Sequence, residues 1–264
     1  MRELTAFVLS GGGSLAAVQV GMLAEILAAG QRPDLIVGTS AGAINGAFFA
    51  QEPSAATVER MAQLWSRMST REALGLSCVS LLGIAGLRGH IANPAGLRSL
   101  LTRELRCERF DQTAVPLHVI CAAQETGMQV VLSTGNLVDA VLASSAILGV
   151  FPPVDINGQT LVDGMLAADT PTATAIRFGA RELVVLPCGF ACAAKSVARS
   201  ALGRAMHAIT LLGAHQVRRD YERYSTSAAI HMVPPLCPQE QSSYDYSRDA
   251  HLLARARLDA AMDR

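Results

Sequence analysis

The opening forty residues restrict the fold more than any other part of the chain. An apolar run, Ala6 to Leu9, leads into Gly11-Gly12-Gly13, an amphipathic segment from Ser14 to Ala29 and a second apolar run, Leu35 to Val37. That order reads as strand, glycine turn, helix, strand. Two strands joined by a helix run parallel and end on one edge of their sheet, so the turns that follow them become neighbours. A site is therefore expected where those two turns meet.

Beyond this unit, Ala43–Gln51 and Ala55–Ser69 read as helices broken at Pro53, and Asn93-Pro94 opens a helix to about Leu105. Leu117–Ala122 and Met128–Leu132 read as strands around a Glu-Thr-Gly turn, and Leu137–Ile147 as a helix. Val154–Ile156 and Thr160–Val162 flank Asn157-Gly158, a dipeptide suited to a tight hairpin. Leu183–Leu186 is expected as a strand, Ser196–Tyr224 as a long helix, Ala228–Val233 as a last strand and Ser247–Met262 as a closing helix. Leu74 to Gly89 is apolar and glycine-bearing without clear period, which suits core or an excursion over a cleft; we read residues 70–93 as a cap.

A chain of 264 residues, half of them hydrophobic and 17% charged, fits one α/β domain over residues 1–264 with a large core. Lysine plus arginine equals aspartate plus glutamate at 22 each, so no global attraction to nucleic acid or anionic lipid is expected, and any membrane contact must be local and apolar. The amino-terminal apolar run reads as a first strand and not a signal peptide, and no stretch approaches the roughly 20 apolar residues of a spanning helix. Cytoplasmic residence, with peripheral contact to membranes as an option, is the expectation. Cys78, Cys107, Cys121, Cys188, Cys192 and Cys237 form neither a CxxC pair nor a Cys/His cluster, so free, mostly buried thiols and no metal site are expected. Oligomeric state is not written in the sequence.

Gly38-Thr39-Ser40-Ala41-Gly42 is a G-x-S-x-G motif between the second strand and a helix. In that setting the serine sits on a strained elbow, and glycines two positions away leave room where strand and helix approach. Ser40 is thus the candidate nucleophile, and the Ala41 amide at the helix start a candidate oxyanion donor. Gly11, Gly12 and Gly13 could add further backbone donors; a tight turn or a generic anion nest is the plainer alternative. A phosphate loop is not favoured, because no Gly-Lys-Ser or Gly-Lys-Thr follows. Asp163, before Gly164 at a strand end, could face the same cleft as a base or serve only as a turn former.

The glycine triplet, the serine motif, Ala143-Ser144-Ser145-Ala146-Ile147-Leu148-Gly149-Val150-Phe151-Pro152-Pro153 and Asp163-Gly164 occur in the order and approximate spacing of patatin-like phospholipases, which this chain resembles along its whole length. Tyr244-Asp245-Tyr246-Ser247 before the last helix is similar to bacterial members. The resemblance implies a three-layer α/β/α fold with a central, largely parallel sheet, a Ser40–Asp163 dyad acting on acyl esters of lipids, and no metal or organic cofactor. Three positions depart from the family pattern: Leu15 replaces a basic residue of the glycine loop, Leu148 a proline, and Met165 a second glycine after Asp163.

The same residues allow rival readings. A Ser-His-Asp triad could use His207, His215, His231 or His251, although Ser40 after only the second strand is early for that fold. Acyl transfer to another acceptor would share the same acyl-enzyme, and a silent lipid-binding protein would keep the pocket without the chemistry.

Overall fold

The computed structural model of the chain describes residues 3–75, 87–167, 171–188 and 201–234, together with Ser80, Gly83 and Tyr246. Strand β1 (Leu4–Leu9), helix α1 (Ala17–Ala28) and strand β2 (Leu35–Thr39) realise the opening pattern, with a tight helical turn over Gly13–Ala16 leading into α1. Next come α2 (Ala41–Gln51), α3 (Ala55–Arg67), α4 (Thr70–Leu74) and α5 (Ala95–Glu104). β3 (Leu117–Ala123) and β4 (Gln129–Leu132) form a hairpin, followed by α6 (Leu137–Ser144) and the short hairpin β5 (Val154–Ile156) and β6 (Gln159–Asp163). α7 (Pro171–Arg177), β7 (Ala180–Leu186), α8 (Ala201–Tyr224) and β8 (Ala229–Met232) complete the described elements.

All eight strands join one sheet in the order β5-β6-β3-β2-β1-β7-β8, with β4 attached to β3. The pairs β3–β2, β2–β1, β1–β7 and β7–β8 are parallel; those involving β4, β5 and β6 are antiparallel. Side chains alternate between two apolar faces, as strands buried on both sides require. Phe7, Leu9, Ile36, Val119, Cys121, Val184 and Leu186 join the core beneath α1, α2, α3, α5 and α6. Ala6, Val8, Leu35, Val37, Ile120, Ala122, Leu183 and Val185 join a second core, which α7 covers with Ala175 and Ile176. The fold is a three-layer α/β/α arrangement around a largely parallel sheet.

Several boundaries differ from the sequence reading. α6 ends at Ser144, where the chain turns back on itself through Ile147 O, which accepts from Val150 and Phe151 N–H. β7 begins three residues early because Arg181 and Glu182 lie at its outer end, where charge hides the strand signal. α7 has no counterpart in the sequence reading; its alanine- and threonine-rich segment is too short to show a helical period. The expected closing helix Ser247–Met262, His251, the cysteines Cys78, Cys192 and Cys237, and much of the segment 70–93 lie outside the described residues.

A buried polar chain ties the helices of the larger face to the first glycine turn. Trp65 Nε1 donates to Asn45 Oδ1 (2.8 Å), and Asn45 Nδ2 donates to Ala16 O and to Gln19 Oε1, both at 2.9 Å. Gln19 Nε2 in turn donates to Leu186 O (2.8 Å) and Ser10 O (3.0 Å). Trp65, Asn45 and Gln19 are all shielded from solvent, so each bond replaces hydration that burial removed. The chain fixes the carbonyls that precede Gly11 and end β7, and hence the path of the glycine loop between them. Gln19→Met keeps the volume but removes three buried hydrogen bonds; urea denaturation should read a stability loss of about 3 kcal/mol at unchanged m-value.

Candidate active site

The site lies at the carboxyl edge of the sheet, where β1, β2 and β6 end. Ser40 follows β2 and has φ 54° and ψ −126°, a left-handed conformation that a non-glycine residue holds only when its surroundings enforce it. The enforcement is visible. Ser40 N–H donates to Ser144 Oγ (2.8 Å), whose own hydroxyl donates to Ile120 O (2.6 Å). A Cβ on Gly38 would stand 2.8 Å from Ala43 Cα, and one on Gly42 would strike the carbonyls of Leu9 and Ser10. Strand, elbow and helix close together only because both positions are glycine.

Ser40 Oγ donates to Asp163 Oδ2 at 2.6 Å. Asp163 closes β6, its amide donates to Ala146 O (2.9 Å), and its Oδ1 accepts from Met165 N–H (2.8 Å). Ser40 and Asp163 are 3% and 2% exposed, so the pair is almost sealed from water. Burial pushes the Asp163 carboxyl up to about 6, with the Ser40 hydroxyl and the Met165 amide pulling part of the way back.

Gly11, Gly12 and Gly13 lie half-buried beside this pair, and a Cβ on Gly11 would come 3.0 Å from Ser40 Cβ. Gly12 rests against Cys188, whose amide and thiol hold Ser10 Oγ (2.9 Å) and Ser10 O (3.0 Å). The amides of Gly11, Gly12, Gly13 and Ala41 donate to no group among the described residues. Of these, Gly11 lies against Ser40 and Ala41 follows it directly in the chain. Among the described residues no three His, Cys, Asp or Glu side chains gather as metal ligands would.

The family model for patatin-like phospholipase matches residues 7–176, more than half of the chain. The chain belongs to the patatin-like phospholipase family. Patatin-like phospholipase domain-containing protein 7 of Mus musculus is 27% identical over 186 residues, covering 70% of this chain and 13% of that protein. Lysophospholipase NTE1 of Cryptococcus neoformans is 28% identical over 183 residues, covering 69% of this chain and 11% of the relative. The match therefore spans a small part of these much longer curated relatives. Among solved structures, VipD from Legionella pneumophila aligns with a TM-score of 0.47 and 12% identity over 97% of this chain and 67% of that one.

The three patatin-like positions that depart from the pattern sit differently from one another. Leu15 is buried in the main core, Leu148 is 46% exposed, and Met165 lies against Gly11. Of the histidines open to a triad, His215 is exposed on α8 and His231 approaches Glu182 at the surface (4.0 Å); His251 and the side chain of His207 lie outside the described residues. No described histidine bonds to Ser40 or Asp163. Sequence reasoning gave no role to Ser144, which the structure places under the Ser40 amide. Helix phase carried no signal for it, since every residue of α6 except Asp139 is buried.

The folded Asp163 carboxyl keeps its proton to about 6, well above the 3.8 of an aspartate in an open chain. Between those values the folded state binds more protons, so stability falls as pH rises through the window and stays lower above it. Asp163→Asn removes this loss: its stability relative to wild type should grow by roughly 2 kcal/mol between pH 4 and 7, measured by urea denaturation at each pH.

Proposed function

We propose that this chain is a serine acyl hydrolase that cleaves acyl esters of lipids, in the manner of a phospholipase A, lysophospholipase or esterase, with Ser40 as nucleophile and Asp163 as base. The observation that carries the reading is the 2.6 Å contact from Ser40 Oγ to Asp163 Oδ2 at a positive-φ elbow flanked by undonated amides. Membership of the patatin-like phospholipase family supports the lipid ester as substrate class.

In this mechanism Ser40 Oγ attacks the ester carbonyl carbon while its proton passes to Asp163 Oδ2. The amides of Gly11, Gly12, Gly13 and Ala41 hold the oxyanion of the tetrahedral intermediate. Collapse breaks the bond to the leaving alcohol, which takes the proton from Asp163 and departs. Water then attacks the acyl-enzyme, gives its proton to Asp163, and the second intermediate releases the acid as that proton returns to Ser40 Oγ.

One acyl hydrolase domain over 1–264 and a cap around 70–93 belong to the same proposal. Described ends of that segment run beside the loop after α6: Ile91 N–H reaches Gly149 O and Val150 O, and Ala92 N–H donates to Val150 O (2.7 Å). Leu87 and Leu148, 74% and 46% exposed, give this region an apolar surface for peripheral contact with lipid. No helix among the described residues is long and apolar enough to cross a membrane.

Turnover of p-nitrophenyl octanoate without added metal tests the reading. Ser40→Ala should abolish turnover, and Asp163→Asn should lower kcat by at least about 100-fold. Histidine variants His207→Ala, His215→Ala, His231→Ala and His251→Ala should each keep at least about a tenth of wild-type activity, a change of roughly 1.4 kcal/mol or less. A folded histidine variant as inactive as Ser40→Ala, beside a nearly normal Asp163→Asn, would replace the dyad with a triad. Because the base must be ionised, kcat/KM should rise with pH to about 6 and then level off.

A further inference from the structure

Met165 lies across the sealed nucleophile in a slot that two glycines make. Its amide is anchored to Asp163 Oδ1 at 2.8 Å, while its side chain runs toward the glycine loop. A Cβ on Gly11 would stand 2.7 Å from Met165 Sδ and 2.8 Å from its Cγ. On the opposite wall, a Cβ on Gly213 of α8 would stand 2.9 Å from Met165 Cε. A side chain at either position would press on the thioether, so the slot is as wide as two missing side chains allow. Ser40 Cβ borders the same wall, 3.0 Å from the Cβ position on Gly11, so the slot opens onto the nucleophile.

The occupant of that slot is itself informative. Methionine is an unbranched chain with three rotatable bonds and a soft sulfur, and it changes rotamer more easily than a branched residue. It fills the gap between Gly11 and Gly213 as a short alkyl chain would. With Met165 half-buried and Ser40 only 3% exposed, an ester carbonyl needs space beside Ser40 that this side chain now takes.

On the hydrolase reading above, we propose that the slot between Gly11 and Gly213 is the acyl-chain subsite, that Met165 occupies it as a displaceable plug, and that the site selects unbranched acyl chains over chains branched near the carbonyl. A linear chain replaces the thioether without moving either wall. A branch at the first or second carbon meets backbone on both sides. One methylene misfitted in such a pocket is worth about 10- to 200-fold in discrimination.

Ser40 labelling by alkyl fluorophosphonates reads the subsite directly, since the P–O bond to Ser40 forms as the P–F bond breaks and fluoride leaves. Second-order labelling rates with methyl, n-octyl and 2,2-dimethyloctyl probes, the site confirmed by peptide mass, are compared in wild type, Met165→Ala and Gly213→Val, with Gly213→Ala used where valine prevents folding. Wild type should favour n-octyl over the branched probe by about tenfold or more. The n-octyl to methyl ratio should rise about tenfold in Met165→Ala, where the plug is gone, and fall about tenfold in the Gly213 variant, where the wall closes. Ratios within about threefold of wild type in either folded variant, with Ser40 labelled, overturn the subsite alone. Failure of every probe to label Ser40 in wild type and Met165→Ala overturns the hydrolase reading and the subsite with it.

Discussion

The register of β3 is the constraint on which the site depends. Along one edge β3 carries β4, from Val119 to Ala122; on its other edge β2 pairs up to Thr39↔Ile120, and β6 takes over at Cys121↔Asp163. A strand has only two edges, so β2 and β6 must meet end to end along the second one. Their last residues, Thr39 and Asp163, therefore face consecutive residues of a single strand, and Ser40 arrives one step from the carboxylate. A slip of one residue in the β6 pairing would turn Asp163 to the opposite face of the sheet, and one in the β2 pairing would displace Ser40; either breaks the contact.

Ile120 O lies at the centre of this junction. It accepts from Ser144 Oγ, which in turn accepts the Ser40 amide, and a Cβ on Gly164 would collide with it. The serine elbow and the Asp163-Gly164 turn are thereby referred to one fixed carbonyl. This matters because both groups of the proposed dyad are held in unfavourable states: a positive φ at Ser40, of order 1–3 kcal/mol, and a carboxylate out of water. Such states persist only where surrounding structure leaves no relaxed alternative. The rigid sheet on one side and the Trp65–Asn45–Gln19 chain on the other supply that insistence.

Local features made much of this legible from sequence. The strand–glycine–helix–strand opening appears as read, and Asn157-Gly158 forms its turn with both residues at positive φ, 52° and 79°. G-x-S-x-G does lie between β2 and α2. What stayed hidden is long-range. Nothing near Asp163 announces that β6 continues the edge of β3 that β2 leaves, because antiparallel pairing between distant segments has no local periodicity. For the same reason Ser144 read as one serine of a pair, and Met165 as a departure of unknown consequence. Only the approach of α8 through Gly213 gives that side chain its place.

Leu15 belongs to the same physical account. It is 5% exposed and packs in the core, so the glycine loop turns no cation toward Ser40 at this position. On the proposed mechanism none is required there. Before attack, the negative charge of the site sits on Asp163, supported by the Ser40 hydroxyl and the Met165 amide. Attack moves a proton onto Asp163 and leaves the charge on the substrate oxygen, so the site exchanges one anion for another at short range. A fixed cation would stabilise both states and accelerate the step only by the difference between them. Neutral amides aimed at the new oxygen alone stabilise the second state selectively. Burial acts in the same direction, since it raises the proton affinity of Asp163 toward about 6 and makes the carboxylate a stronger base for the serine proton than an exposed one would be.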